Sequence, residues 1–156
     1  MPNIIYAAGG KPRPNPEDEI WGDAELIGLI ERTSTLTQIP PSLKTIGKAA
    51  FERCTNLALT SLPVGVTSIE SSAFYYCTNL ALTSLPAGVT SIGGSAFSFC
   101  SNLTTLSIGS GIQTIGSNAF GYCSNLKSIT INRAQDSVTG APWGATNATV
   151  TWTGTT

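Results

Sequence analysis

The residues of this chain best equipped for chemistry are four cysteines, Cys54, Cys77, Cys100 and Cys123, each 23 residues from the next. Four thiols could form disulfides, ligate a metal or supply a nucleophile. The equal spacing argues against all three. A constant step puts them at one position in successive copies of a repeat, pointing the same way, where each serves as a small buried apolar group. Neighbouring coils of a solenoid stand ~4.8 Å apart, close enough for a bridge, but parallel Cβ vectors oppose the bond. A metal site has less support still, since the chain holds no histidine and no close cysteine pair. Carboxylates are equally scarce where a site would need them. Six of the nine acids (Glu17, Asp18, Glu19, Asp23, Glu25 and Glu31) precede the repeats, and between Cys54 and Leu126 only Glu70 is charged. Nucleophile, base and orienting group cannot be assembled from this inventory, so the sequence predicts neither an enzyme nor a cofactor.

The elements that hold the cysteines repeat with them. Ile46, Ile69, Ile92 and Ile115 share the 23-residue step, as do Phe51, Phe74, Phe97 and Phe120, and an Asn-Leu pair follows each cysteine. A period in the twenties marks a solenoid whose turns each pair a strand with a short helical or irregular segment. The strand is plainest in the third and fourth copies, as Leu103, Leu106, Ile108 and Leu126, Ile129, Ile131. Gly47, Gly93 and Gly116 follow the Ile column and suggest a tight turn with positive φ, with Glu70 the exception.

Four regions result: an arm over residues 1–15, a helical N-terminal cap over 16–35, the repeats over 36–138 and a C-terminal cap over 139–156. The helix is predicted from Asn15-Pro16-Glu17-Asp18-Glu19, which combines a capping side chain, a proline at the first position and carboxylates at the positive end of the dipole. At the other end the columns degrade. Val138 takes the Ile place, Trp143 the Phe place, Thr146 the Cys place and Thr149 the Leu place, and Val150 and Trp152 alternate as a closing strand. Two tryptophans would then seal the open end.

The units Thr45-Ile-Gly-Lys-Ala-Ala-Phe-Glu-Arg-Cys-Thr-Asn-Leu57 and Thr114-Ile-Gly-Ser-Asn-Ala-Phe-Gly-Tyr-Cys-Ser-Asn-Leu126 resemble the BspA-type leucine-rich repeats, also called the Treponema pallidum type. The closing stretch from Gly140 to Trp152 resembles a tail carried by such repeats in phage and prophage proteins of gut Firmicutes. The resemblance implies a right-handed, curved α/β solenoid with one parallel sheet. It also implies a binding role, since family members include bacterial adhesins, protozoan surface proteins and phage structural or host-recognition proteins. No catalytic residue belongs to the family motif.

Three candidate binding surfaces follow from the columns. Leu36, Leu59 and Leu82 would form an apolar stripe on the outer face of the sheet, or else the strand shifts locally and buries them. Tyr76, Phe99 and Tyr122, in column with Arg53, could grip a sugar or a peptide, or else pack over the turns. Gln38, Ser61, Ser84, Ser107 and Thr130 are polar outward positions of the sheet, and solvation alone would account for them.

The expected partner is a protein or glycan. A net charge of −1 with 11% charged residues gives no case for nucleic acid or an anionic membrane. No apolar run is long enough to cross a bilayer, and the first residues do not read as a secretory signal. A place in a virion, or on a cell surface by a non-Sec route, is expected over a cytoplasmic role. Host-surface recognition, a structural virion part and an adhesin without its leader remain open, as does homo-oligomer formation through the solenoid ends.

Overall fold

A computed structural model of the chain describes residues 43–155 and, before them, the backbone of the Ile20–Trp21 pair. Each copy closes into one coil because its apolar residues can all turn to one interior. In the second copy these are Val66, Ile69, Ala73, Phe74, Cys77, Leu80, Leu82 and Leu85, all buried. The result is a parallel-sheet solenoid with a spacing of 23 residues.

The strands are β1 (Ile20–Trp21), β2 (Thr45–Ile46), β3 (Ser68–Ile69), β4 (Ser91–Ile92), β5 (Thr105–Ile108), β6 (Thr114–Ile115), β7 (Ser128–Ile131) and β8 (Thr149–Trp152). They form two parallel sheets, β1-β2-β3-β4-β6 and β5-β7-β8, and not the one that was expected. The Ile column builds a strand of its own. Its elements are only two residues long, too short for a period-two pattern to announce them.

The α/β expectation is corrected too: no helix occurs among the described residues. Within the predicted helical cap, Ile20–Trp21 instead pairs with β2 in parallel register, Ile20 with Thr45 and Trp21 with Ile46. A strand can satisfy the open backbone edge of the first coil and a helix cannot, while Gly22 and Gly28 weaken the helical alternative. The remainder of that prediction, with Leu36 and Gln38, lies outside the described residues.

Between the sheets each coil runs through a ribbon of turns with a strict hydrogen-bond alternation. The N–H groups of Ser72, Phe74 and Tyr76 donate to Gly94, Ala96 and Ser98 of the next coil, while those of Ala73, Tyr75 and Cys77 donate three residues back in their own. From Ser72 to Cys77 every backbone donor is therefore used, so there the missing helix leaves no orphaned amide. Left-handed residues make the alternation possible. They are not the expected glycines but Ala49, Ser72, Ser95 and Asn118 in one column and Arg53, Tyr76, Phe99 and Tyr122 in another, with φ between 53° and 61°. Such a residue costs about 1–2 kcal/mol outside glycine, and at Ala49, Arg53, Ser72, Tyr76, Ser95 and Phe99 a cross-coil bond from its own N–H offsets it. The Ile-column glycines serve close approach: a Cβ on Gly93 would stand 2.3 Å from Ser71 N, and one on Gly116 2.4 Å from Gly94 N. At Glu70 the side chain turns its carboxylate onto the Lys48 amide at 2.8 Å.

Through the core runs a stack of Phe51, Phe74, Phe97 and Phe120, with centroids 5.3, 5.3 and 5.6 Å apart and planes within 8°. Trp143 meets its end edge-on at 6.5 Å, and Trp152 meets Trp143 at 6.2 Å. The proposed apolar stripe is corrected here. Leu59 and Leu82 are buried, while Thr60 and Thr83 beside them are exposed. In the later copies the buried position is one residue further on, at Leu106 and Ile129. The early copies thus break the inward-outward alternation, and the second sheet reaches them only as a bridge from Ser84 to Ser107.

Candidate functional site

The turn ribbon places a left-handed residue directly before the buried cysteine of each repeat, and from Tyr76 onward these residues form an aromatic row on the surface. Tyr76 lies 5.5 Å from Phe99, and Phe99 lies 4.6 Å from Tyr122 with planes 9° apart. Tyr75 packs edge-on against Phe99 at 5.5 Å, and the Arg53 guanidinium sits 6.0 Å from the centre of the Tyr76 ring. Unlike the core phenylalanines, this row is open. Tyr76 is 42% exposed and Tyr122 73%, and Phe99 is half-buried. The sequence columns therefore brought Tyr76, Phe99 and Tyr122 together as one surface, to which Tyr75 is an addition.

Ser61, Ser84 and Ser107 are exposed and Thr130 half-buried. Ser84 bridges to Ser107, and Ser107 pairs with Thr130, so these polar positions line up across the second sheet on a separate segment of each coil.

The row ends at the last coil for a reason hidden from the sequence columns. There the repeat shortens by one residue. The Thr146 N–H donates to the Gly144 carbonyl as Ser101 does to Phe99, and Ala148 donates to Ala145 as Leu126 does to Cys123. Ala145 and Ala148 thus take the Cys and Leu places that Thr146 and Thr149 were expected to fill, and Gly144 takes the place of Tyr122. Its φ of +84° keeps the left-handed conformation of the column. No side chain fits there, because a Cβ would lie 2.9 Å from Asn118 Oδ1 and from Gly121 Cα. Beside Tyr122 this leaves a cleft of about 440 Å³. Asn118, Ser124, Thr146 and Asn147 line it, none of them among the candidates that the columns offered. A 22-residue step in the cap was the available signal.

A second cleft, of about 310 Å³, lies over the first sheet. Several of its polar groups already have partners: Glu70 accepts from the Lys48 backbone amide, and the Ser68 and Ser91 hydroxyls bond at 3.1 Å.

The cysteines are unbridged. Cys77, Cys100 and Cys123 donate their thiols to the carbonyls of Phe51, Phe74 and Phe97, one coil back, at 2.9–3.1 Å. Burial, together with the neighbouring thiols, pushes Cys77 and Cys100 far up from the ordinary thiol range. Burial pushes Cys123 up to about 11, against the opposing effect of a backbone hydrogen bond. These are structural thiols rather than nucleophiles. Among the described residues no group of three or more His, Cys, Asp or Glu could hold a metal ion, and no helix is long and apolar enough to cross a membrane.

The family model for the BspA type leucine-rich repeat region matches in six copies over residues 32–141. The chain belongs to this family. Similar solved structures include a leucine-rich repeat protein of T. pallidum, at 25% identity and a TM-score of 0.70, with 93% of this chain and 65% of that one covered. A leucine-rich repeat protein from Bacteroides ovatus is 29% identical with a TM-score of 0.51, over 73% of this chain and 35% of that one. A leucine rich cell surface protein from Faecalibacterium prausnitzii is 25% identical with a TM-score of 0.51, over 84% and 46%. The chain thus spans less than two thirds of each of these structures. No curated protein matches it. BspA-type repeats generally serve as non-enzymatic modules that bind proteins, in surface-associated settings, and no catalytic family is indicated.

Proposed function

We propose that this chain recognises a protein or glycan on a cell surface through the open aromatic row of its turn face. The observation that carries this reading is the exposure of Tyr76 and Tyr122 in a row that the described residues leave open. Large aromatic rings are expensive to leave in water, and rows of them with polar rims tend to mark interaction surfaces. Beyond Arg53 at its first position, the repeats that carry the row hold only Glu70 as a charge between Cys54 and Leu126 and are rich in Ser, Thr and Asn, which suits a hydrogen-bonding ligand of low charge.

The setting we favour is host-surface recognition by a phage or prophage product, on the likeness of the Gly140–Trp152 stretch to tails of such proteins. A bacterial adhesin is the second reading, supported by the likeness to the F. prausnitzii cell surface protein. Adsorption of labelled protein to intact gut bacteria tests the shared core of both. Strain-selective binding that falls at least tenfold in Tyr76→Ala/Tyr122→Ala supports the row as the contact surface. Undiminished binding by a folded double variant removes it.

A further inference from the structure

The aromatic row is a ladder with its last rung missing. Phe99 covers one face of the Tyr122 ring at 4.6 Å, and the other face looks toward the last coil, where Gly144 stands in place of a ring. The vacancy is built in, because the approach of Asn118 and Gly121 admits no side chain at residue 144. A ring supplied from outside would meet Tyr122 at the spacing the ladder already uses.

We propose that this cleft binds a neutral sugar ring, the terminal residue of a glycan, stacked on the free face of Tyr122. The proposal rests on the turn face being the recognition surface and assigns that surface a ligand class. Its support is the chemistry of the rim. Asn118, Ser124, Thr146 and Asn147 bring two amides and two hydroxyls, and no ionisable carboxylate, ammonium or guanidinium lines the cleft. Among the described residues none of these four side chains makes an internal hydrogen bond. By contrast, Asn102 and Asn125 nearby donate their amides to the carbonyls of Asn79 and Ser101. The rim is thus a set of donors and acceptors without internal partners around an aromatic floor. A sugar ring matches both parts, with an apolar C–H face for the ring and hydroxyls for the rim. An aromatic side chain would satisfy the floor and leave the rim without partners, and an anion would find no cation. The volume lies within the range of small-molecule sites.

The test is saturation-transfer NMR on the full chain with glucose, galactose, mannose, N-acetylglucosamine, N-acetylgalactosamine and their β-linked disaccharides, with N-acetyltryptophanamide as the aromatic comparison. The expected result is transfer to at least one sugar, weakened tenfold or more by Tyr122→Ala and by Asn147→Leu and unchanged by Gln113→Ala, an exposed residue outside both the row and the cleft. Transfer to N-acetyltryptophanamide alone, transfer to no probe, or sugar binding indifferent to both cleft variants overturns the proposal. Cell adsorption read on the same variants separates the two levels. Adsorption lost in Tyr76→Ala but kept in Asn147→Leu, with no sugar bound, sinks the sugar cleft and leaves the aromatic row as the recognition surface.

Discussion

The thiol of Cys77 donates a 2.9 Å hydrogen bond to the carbonyl oxygen of Phe51, which also accepts the Cys54 amide of its own coil. One carbonyl thereby ties the repeat internally and joins it to the next. The same pairing recurs from Cys100 to Phe74 and from Cys123 to Phe97, so the column that could have been a reactive centre is a seam.

This seam is expected to make stability fall in alkali. The folded thiols have raised pKa values, so at high pH the unfolded chain releases protons that the folded chain keeps, and folding is disfavoured. The contribution is complete below the ordinary thiol value of about 8.5 and declines above it, by roughly 1.4 kcal/mol per thiol per pH unit. For Cys123 the decline stops near pH 11, where the folded thiol also ionises. Urea melts from pH 7 to 10.5 should show this slope in the native chain and a shallower one in Cys77→Ala/Cys100→Ala. Equal slopes would mean that the thiols do not carry it.

Phe97 is stacked between Phe74 and Phe120 at 5.3 and 5.6 Å and is fully buried. Phe97→Ala is expected to cost about 3–5 kcal/mol, since it removes ring burial and leaves a gap between two coils. Chemical denaturation measures this, and a loss below about 1 kcal/mol would show that the coils can close over the gap.

Core and surface columns should separate cleanly. Leu59→Asp with Leu82→Asp places two carboxylates in the interior and is expected to abolish folding, read as loss of the far-ultraviolet strand signal. Tyr122→Ala should shift stability by no more than about 1 kcal/mol, because its ring is largely in solvent, and Tyr76→Ala, whose ring is more than half covered by its neighbours, by no more than about 2 kcal/mol. A larger loss at either tyrosine would make the row part of the core.

The second sheet should be extendable by exchanging two neighbours. In the second copy Leu82 is buried and Thr83 exposed, opposite to the order at Thr105 and Leu106. Leu82→Thr with Thr83→Leu restores the alternation and should turn the Ser84–Ser107 bridge into a full strand pairing. Slower amide exchange at residues 83–85 is the expected readout. Unchanged exchange would assign the short sheet to some constraint other than leucine placement.

The sequence by itself determined the repeat. Columns of Ile, Phe, Cys and Leu at a step of 23 can be buried together only if successive copies stack, so the solenoid, those buried columns and the alignment of Tyr76, Phe99 and Tyr122 were legible from spacing alone. Tertiary structure decided what spacing cannot express. Two-residue strands such as Ser68–Ile69 carry no periodicity, and their parallel neighbours in other coils are what make them strands. Leu59 and Leu82 faced inward because burial in the shared core outweighed strand alternation. Left-handed Tyr76 and Phe99 are held by a hydrogen-bond ribbon between coils, a cause that lies 22 residues away in the chain and appears in no local preference. The vacant rung at Gly144 arises from a one-residue contraction of the last coil, and only the hydrogen-bond register of the folded chain shows which residue stands in which column.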